Sequence, residues 1–190
     1  MIWFSADHHF YHQNVIRYCA RPFSSVDEMN AEMVKRWNEV VAPGDTVYYL
    51  GDFSLAHRAV TVFLPQLNGE KCLIMGNHDH CHPVHCKKEQ KCQRMRKLYY
   101  DAGFKELVLS KEMNIAGRNV ELHHMPFAGD HEKERYTEWR PKDKGQWLLH
   151  GHIHEKWKQR GRMINVGVDV WDFYPVSIVQ IEKIVSDGAA

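Results

Sequence analysis

Five short clusters of metal-binding residue types recur along the chain: Asp7-x-His9, Gly51-Asp52, Gly76-Asn77-His78-Asp79, His123-His124 and Gly151-His152-x-His154. Carboxylate, amide and imidazole are the groups that divalent transition ions take when no thiolate competes. Each cluster alone also reads as a polar turn. Together they supply Asp7, Asp52, the Asn77 amide and at least four imidazoles, enough for two ions sharing one bridging carboxylate. Two ions about 3.5–4 Å apart can clamp the attacking and the leaving oxygen of a phosphoryl transfer. The chemistry expected is hydrolysis of a phosphate mono- or diester, with a hydroxide that bridges the metals attacking phosphorus.

Spacing refines this. If strand-like backbone persists past the strand, Asp7 and His9 face the same way and serve one ion. Gly51 permits close backbone approach, and Asp52 can bridge. Gly76 allows a tight turn that presents the Asn77 carbonyl oxygen, and His78 beside Asp79 is suited to acid chemistry. His152 and His154 are also two apart, with His150 in phase. Spacing does not choose between His123 and His124.

These residues need elements to carry them. The run Ile2-Trp3-Phe4 reads as a strand that delivers Asp7 and His9. Ser25 through Glu28 reads as a capping box, and Met29, Met33, Trp37 and Val40 follow at helical spacing until Pro43-Gly44. Residues 45–50 form a strand ending at Gly51-Asp52, 60–67 a short helix, and 71–75 a strand ending at Gly76. Alternation of this kind predicts α/β architecture, in which loops beyond the strands' carboxyl ends share one crevice. A basic helix is expected over 87–100. Strands are expected at 106–110, 113–115, 119–123, 146–150, 163–166 and 176–181, with a turn around Gly117-Arg118. Residues 126–145 lack periodicity, and a loop that long is usually functional or disordered.

The bulk numbers set limits. A chain of 190 residues, 44% hydrophobic and 26% charged, predicts one domain over 1–190 with its own core. A net charge of +1 exerts little long-range pull on nucleic acid or anionic membrane. No apolar run approaches the ~20 residues of a membrane span, and the first residues lack the basic start of a signal peptide. Five cysteines, odd in number and clustered, do not read as a disulfide framework, so reduced thiols and a cytoplasmic location are expected.

The ordered series Asp-x-His, Gly-Asp, Gly-Asn-His-Asp, His and Gly-His-x-His resembles the calcineurin-like metallophosphoesterase superfamily over residues 7–154. Gly161 to Asp172 resembles its compact bacterial and phage branch. The resemblance implies a four-layer α/β/β/α sandwich of two mixed β-sheets. It implies that Asp7, His9 and His154 hold one divalent ion and Asn77, His124 and His152 a second, with Asp52 bridging. Pro126, two positions on, favours His124 over His123. His78 is implied to contact the phosphate and protonate the leaving group, oriented by Asp79. Manganese or iron is implied first, with zinc, nickel or cobalt as further candidates.

Other features carry lesser expectations. Arg135 and Arg140 are candidate substrate contacts beside Asn77 and His78, because guanidinium forks suit phosphate, and His12, which follows the first cluster, is a further candidate. The substrate expected is a small phosphate ester, nucleotide-like ones included. A nuclease or nucleic-acid end-processing enzyme is the alternative, suggested by Lys87, Lys88, Lys91, Arg94, Arg96 and Lys97. A non-catalytic scaffold is a third reading, disfavoured because every motif position is filled. His80, Cys81, His82, His85, Cys86 and Cys92 match no standard zinc spacing and read as a loop beside the site.

Overall fold

The computed structural model describes residues 1–85, 88–130 and 135–188. Four parallel strands, β1 (Ile2–Ser5), β2 (Thr46–Tyr49), β3 (Glu70–Ile74) and β4 (Phe104–Val108), lie side by side in that order. The short β10 (Val176–Ser177) closes the sheet antiparallel to β1. The second sheet has the order β5-β6-β7-β9-β8, built from Ser110–Ile115, Arg118–His123, Trp147–His150, Met163–Asn165 and Gln159–Arg160. Its central β6, β7 and β9 are parallel, and its edges β5 and β8 run antiparallel. Two mixed sheets flanked by helices make the α/β sandwich expected.

Strand alternation explains the two cores. Val47 and Tyr49 join the cluster under the helices, whereas Tyr48 packs against the cluster between the sheets. The helical layer comprises α1 (Gln13–Tyr18), α2 (Val26–Val40), α3 (His57–Phe63) and α4 (Glu89–Ala102). On α2, Met29, Met33 and Trp37 recur every four residues and are fully buried, contributing roughly 1.5–3 kcal/mol each. Phe4, Leu50 and Ile74 meet Val120, Leu122, Leu149 and Ile164 between the sheets.

Several boundaries differ from expectation for identifiable reasons. Ser25 Oγ accepts from Glu28 N at 3.1 Å, but the Glu28 carboxylate reaches Ser24 N at 2.7 Å rather than Ser25. The helix expected over 60–67 starts earlier, at His57, and tightens to a 3-10 turn at Leu64–Gln66, where Pro65 lacks an amide hydrogen. The strand expected over 176–181 stops after two residues. Ser177 and Gln180 form a reciprocal capping box that starts α5 (Ile178–Asp187). Ile181 and Val185 of α5 then pack into the core between the sheets. Among the described residues, no helix is long and apolar enough to cross a membrane.

Candidate metal centre

Parallel pairing brings the first three clusters together. Ser5 sits opposite Tyr49, and Tyr49 opposite Leu73, so the loops leaving β1, β2 and β3 emerge at one edge. Asp7 N donates to Gly51 O at 3.0 Å, and His9 N to Asp52 O at 3.2 Å. The second sheet arrives on the same edge. Gly151 N donates to His124 O at 2.9 Å, and His152 N donates to Asp7 Oδ2 at 2.9 Å. Three groups result among the described residues, Asp7–His9–His154, Asp52–His124–His152 and, overlapping the first at His154, Cys19–His154–Asp169, each with ligand atoms within 4.8 Å of one another. Asp52 faces the first two, its Oδ2 lying 3.7 Å from His9 Nε2 and 3.3 Å from His124 Nε2. Asn77 Oδ1 is 3.1 Å from His124 Nε2.

The donor set fits divalent cations. His124 Nδ1 donates to Leu50 O at 2.7 Å, which turns Nε2 toward Asn77 Oδ1 and Asp52 Oδ2. With a neutral ring, three acceptors would meet there with nothing between them. Asp7 Oδ1 and both ring nitrogens of His9 are buried without a hydrogen-bond partner, an arrangement that costs free energy unless a cation binds. Two neighbours are protonated instead. Burial opposes charge on His124, yet Asp52 outweighs it and raises the imidazole to about 9. Burial likewise opposes charge on His154, but Asp169, Cys19 and Asp7 raise it to about 11. Burial pushes Asp7 up to about 6. Asp52 is also desolvated, but His124, His9 and His78 hold it well below the usual carboxylate range. Protons gather where cations would bind.

The ligand backbones are strained. Asp7 (φ 60°), His9 (53°), Asp52 (58°), His152 (72°) and His154 (52°) all adopt the left-handed conformation. Such residues cost about 1–2 kcal/mol each and gather at functional sites. The extended spacing expected for Asp7/His9 and for His152/His154 is therefore not what aligns them. Glycine is required nearby. A Cβ on Gly76 would sit 2.3 Å from Asp52 Oδ1, and one on Gly151 would sit 2.5 Å from Asp7 Oδ2.

Supporting groups surround the cluster. Arg21, buried, donates from Nη2 to Asp7 O at 2.7 Å and from Nη1 to His8 O at 2.9 Å. Its Nε and Nη2 also bind Asp169 at 2.7 and 2.9 Å, and Asp169 Oδ2 pairs with His154 Nδ1 at 3.2 Å. His152 Nε2 pairs with Asp130 Oδ2 at 3.0 Å. Neither Arg21, Asp130 nor Asp169 stood out in the sequence, because each acts on a ligand distant along the chain. A preference for carboxylate beside ligating imidazole is the signal that could have marked the two aspartates.

Other predicted residues are redistributed. His78 lines the cleft, its N donating to Asp52 Oδ1 at 2.8 Å and its ring 5.7 Å from that of His9. Asp79 does not orient it. The fully buried Asp79 carboxylate accepts from the amides of Asp52 (3.0 Å), Phe53 (3.0 Å) and Gly76 (2.8 Å), tying two ligand loops together. His12 sits behind His9 at 5.6 Å between ring centroids. Arg135 lines the cleft with Lys156. Arg140 does not line it: its nearly buried guanidinium turns inward to Asp130 Oδ1 (2.7 Å) and Pro126 O (3.0 Å). His150 instead packs on Trp157 at 4.9 Å, and the His123 ring accepts from Met125 N.

The His/Cys stretch contributes to no metal-type cluster among the described residues. His80 Nε2 donates to Leu55 O and His85 Nε2 to Asn77 O, each at 2.7 Å, so they pin loops. Cys92 is disulfide-bonded, which corrects the expectation of reduced thiols there. Cys86, Lys87 and residues 131–134 lie outside the described residues. A larger cavity, about 670 Å³, lies elsewhere, beside Arg118, Lys144, Trp147 and Arg162. The cleft at the candidate ligands is about 150 Å³.

No family model matches the chain. A protein of unknown function from Aquifex aeolicus, AQ665, has the same fold, with TM-score 0.70, 28% identity and coverage of 97% of this chain and 98% of that one. An archaeal phosphodiesterase superposes loosely, at TM-score 0.42 and 17% identity, covering 87% of this chain and 81% of that one. The gene 66 protein of mycobacteriophage D29 is 32% identical, covering 98% of this chain and 96% of its own length. The uncharacterised protein MJ1445 of Methanocaldococcus jannaschii is likewise 32% identical, over 98% of this chain and 92% of its own. With such identity along nearly its whole length, the chain belongs to the family of MJ1445 and the mycobacteriophage gene 66 proteins.

Proposed function

We propose that the chain is a metal-dependent phosphoric ester hydrolase of the calcineurin-like superfamily. In this reading Asp7, His9 and His154 hold one divalent ion and Asn77, His124 and His152 hold the other, with Asp52 between. The observation that carries it is the convergence of buried acceptor atoms from five loops, with Asp7 Oδ1 and both His9 ring nitrogens lacking a hydrogen-bond partner. An oxygen and nitrogen ligand set suits manganese, iron or zinc, and the resemblance to the calcineurin-like superfamily favours manganese or iron. When bound, such ions lower the pKa of water toward neutrality and neutralise charge on phosphoryl oxygens.

The chain's own groups do the rest. Asp52 stays ionised despite its burial. Arg135 and Lys156 border the cleft and offer positive charge to the phosphate. Burial holds His78 below its ordinary 6.5, so its ring is neutral at pH 7 before substrate arrives. A phosphate anion beside it raises that value and favours the imidazolium, which then protonates the departing oxygen. The cleft of about 150 Å³ is below the roughly 300–1,000 Å³ of ordinary ligand pockets. It admits the phosphoryl end and leaves the rest of the ester at the mouth. The basic residues Arg94 and Lys97 of α4 line a groove with Thr61 and Pro65 that shares no residue with this cleft, which favours a small ester over a nucleic acid.

The test is metal analysis followed by hydrolysis of a mono- and a bis-aryl phosphate with Mn²⁺ present. Two ions per chain with turnover supports the proposal, and the rate ratio separates monoesterase from diesterase. Two ions without turnover on either ester would leave a non-catalytic scaffold, and no bound ion would end the metal reading.

A further inference from the structure

A cysteine stands against one of the candidate ligands. Cys19 is a free thiol, half-buried at the C-terminal end of α1, and it borders the cleft together with His154. Its sulfur, a ring nitrogen of His154 and a carboxylate oxygen of Asp169 lie within 4.8 Å of one another. Each comes from a different part of the chain, and each is held. Cys19 N donates to Val15 O at 2.9 Å, and Asn165 Nδ2 donates to His154 O at 2.8 Å. Asp169 sits in the 3-10 turn Val168–Val170 and is gripped by Arg21, from Nε at 2.7 Å and from Nη2 at 2.9 Å. Within the group, His154 Nδ1 lies 3.2 Å from Asp169 Oδ2, and the Cys19 side chain is hydrogen-bonded to the His154 ring. A carboxylate offers about four lone-pair positions. Arg21 and His154 use three on Asp169, which leaves room for an ion.

We propose that Cys19, His154 and Asp169 form a separate site for a thiophilic divalent ion, zinc above all, which competes with the first ion of the pair for His154. The competition rests on the metal reading above; the site itself does not. Sulfur, nitrogen and oxygen donors together suit zinc, whereas manganese suits carboxylate, carbonyl and water. Tetrahedral zinc keeps such atoms roughly 3.4–3.6 Å apart. The His154–Asp169 edge is already that short, so an inward shift of about 1 Å by the Cys19 side chain closes the set. The thiol passes its proton to solvent as the ion binds, and a water takes the fourth position. His154 belongs to this group and to that of Asp7 and His9. A neutral imidazole has a single acceptor nitrogen. Whichever nitrogen that is, the ring serves one ion at a time, and an ion on Cys19 withdraws His154 from Asp7 and His9.

The experiment uses the full chain stripped with chelator. Cd²⁺ is the optical probe, because it takes the ligands of zinc and its bond to thiolate absorbs in the ultraviolet. Titration with Cd²⁺ is expected to raise that band in the wild type. Cys19→Ser is expected to abolish it, and Cys72→Ser, which alters a thiol outside the cleft, to keep it. Equilibrium dialysis with elemental analysis gives the affinity for Mn²⁺. Mn²⁺ at about ten times its dissociation constant is then expected to raise the midpoint of the Cd²⁺ band roughly 10-fold. No band in the wild type, or a full band in Cys19→Ser, overturns the site. A midpoint that ignores bound Mn²⁺ overturns the competition. A wild type that binds no Mn²⁺ overturns the metal reading alone, because the cadmium band still decides the site.

Discussion

Asp79→Asn separates a scaffolding aspartate from a catalytic one. The wild-type carboxylate serves three amide donors, Oδ2 taking those of Asp52 and Gly76 and Oδ1 that of Phe53. Asparagine has one oxygen. In its better orientation that oxygen keeps the two donors on Oδ2, and the new NH₂ confronts Phe53 N–H. Two buried donors then lack acceptors. Unsatisfied buried groups cost roughly 1–3 kcal/mol each, and local relaxation keeps the sum near 2–4 kcal/mol. At about 2–4 °C per kcal/mol for a chain of this size, the thermal midpoint falls by roughly 4–16 °C. The assay is thermal unfolding by circular dichroism with chelator present, so that ion binding adds nothing. The pH dependence has a definite sign. Burial raises the folded Asp79 carboxyl from 3.8 to about 7, so the folded wild type holds its proton more tightly than the unfolded chain. That contribution is greatest at low pH and is lost as pH rises from about 4 to 7. Asparagine lacks it, so the gap between the proteins is wider at pH 5 than at pH 8. A variant within about 1 °C of wild type at both pH values would refute the reasoning and return Asp79 to the chemistry.

Asp52→Asn should leave the purified chain with neither cation after desalting, because Asp52 faces both ligand groups; full metal content by elemental analysis would remove it from the bridging position. His78→Ala should keep its metal and lose about 10²–10⁴-fold in turnover, most on esters with poor leaving groups; equal rates on such esters would exclude an acid role. His150 is held at about 3, against an ordinary 6.5, chiefly by burial, so its contribution to stability is lost as pH falls from 6.5 toward 3. His150→Gln should therefore flatten the stability-versus-pH curve between pH 6 and 4 by up to about 1.4 kcal/mol per unit, measured by urea unfolding, and an unchanged slope would contradict this. Gly76→Ala places a Cβ 2.3 Å from Asp52 Oδ1, and about 1–3 kcal/mol of destabilisation with weakened cation binding is expected; wild-type values in calorimetry would show that the loop yields freely.

Local signals in the sequence were reliable where local chemistry decides the outcome. The Ser25 cap, the Met29–Met33–Trp37 stripe and the strands ahead of Asp7, Asp52 and Asn77 are each written within a few residues. The last helix resembles a strand in the sequence because Val176–Ile181 is mostly β-branched and apolar, and only Ser177 with Gln180 three residues on marks a helix start. The short α1 carries one buried side chain, Val15, and so leaves almost no periodicity to find. In the site, the residue types most able to bind metal were visible, but what holds them was not. Arg21 and Asp169 are 148 positions apart, and Asp130 reaches His152 across 22. Residue type alone makes Arg140 a candidate substrate contact, because it does not reveal which way the guanidinium turns. Asp79 next to His78 suggested a pair, whereas the backbone sends the two side chains to different partners.

The left-handed backbone at Asp7, His9, Asp52, His152 and His154 also bears on engineering this centre. Selectivity for one metal over another is usually altered by exchanging ligands, for instance bringing in a thiolate. At those five positions an incoming β-branched or bulky side chain would meet a torsional penalty before any coordination chemistry began, and aspartate, asparagine, histidine and glycine are the types that tolerate it best. Asn77 and His124 are not among the left-handed residues. Retuning which ion is accepted should therefore begin at those two, where the main chain imposes no such veto on the choice of side chain.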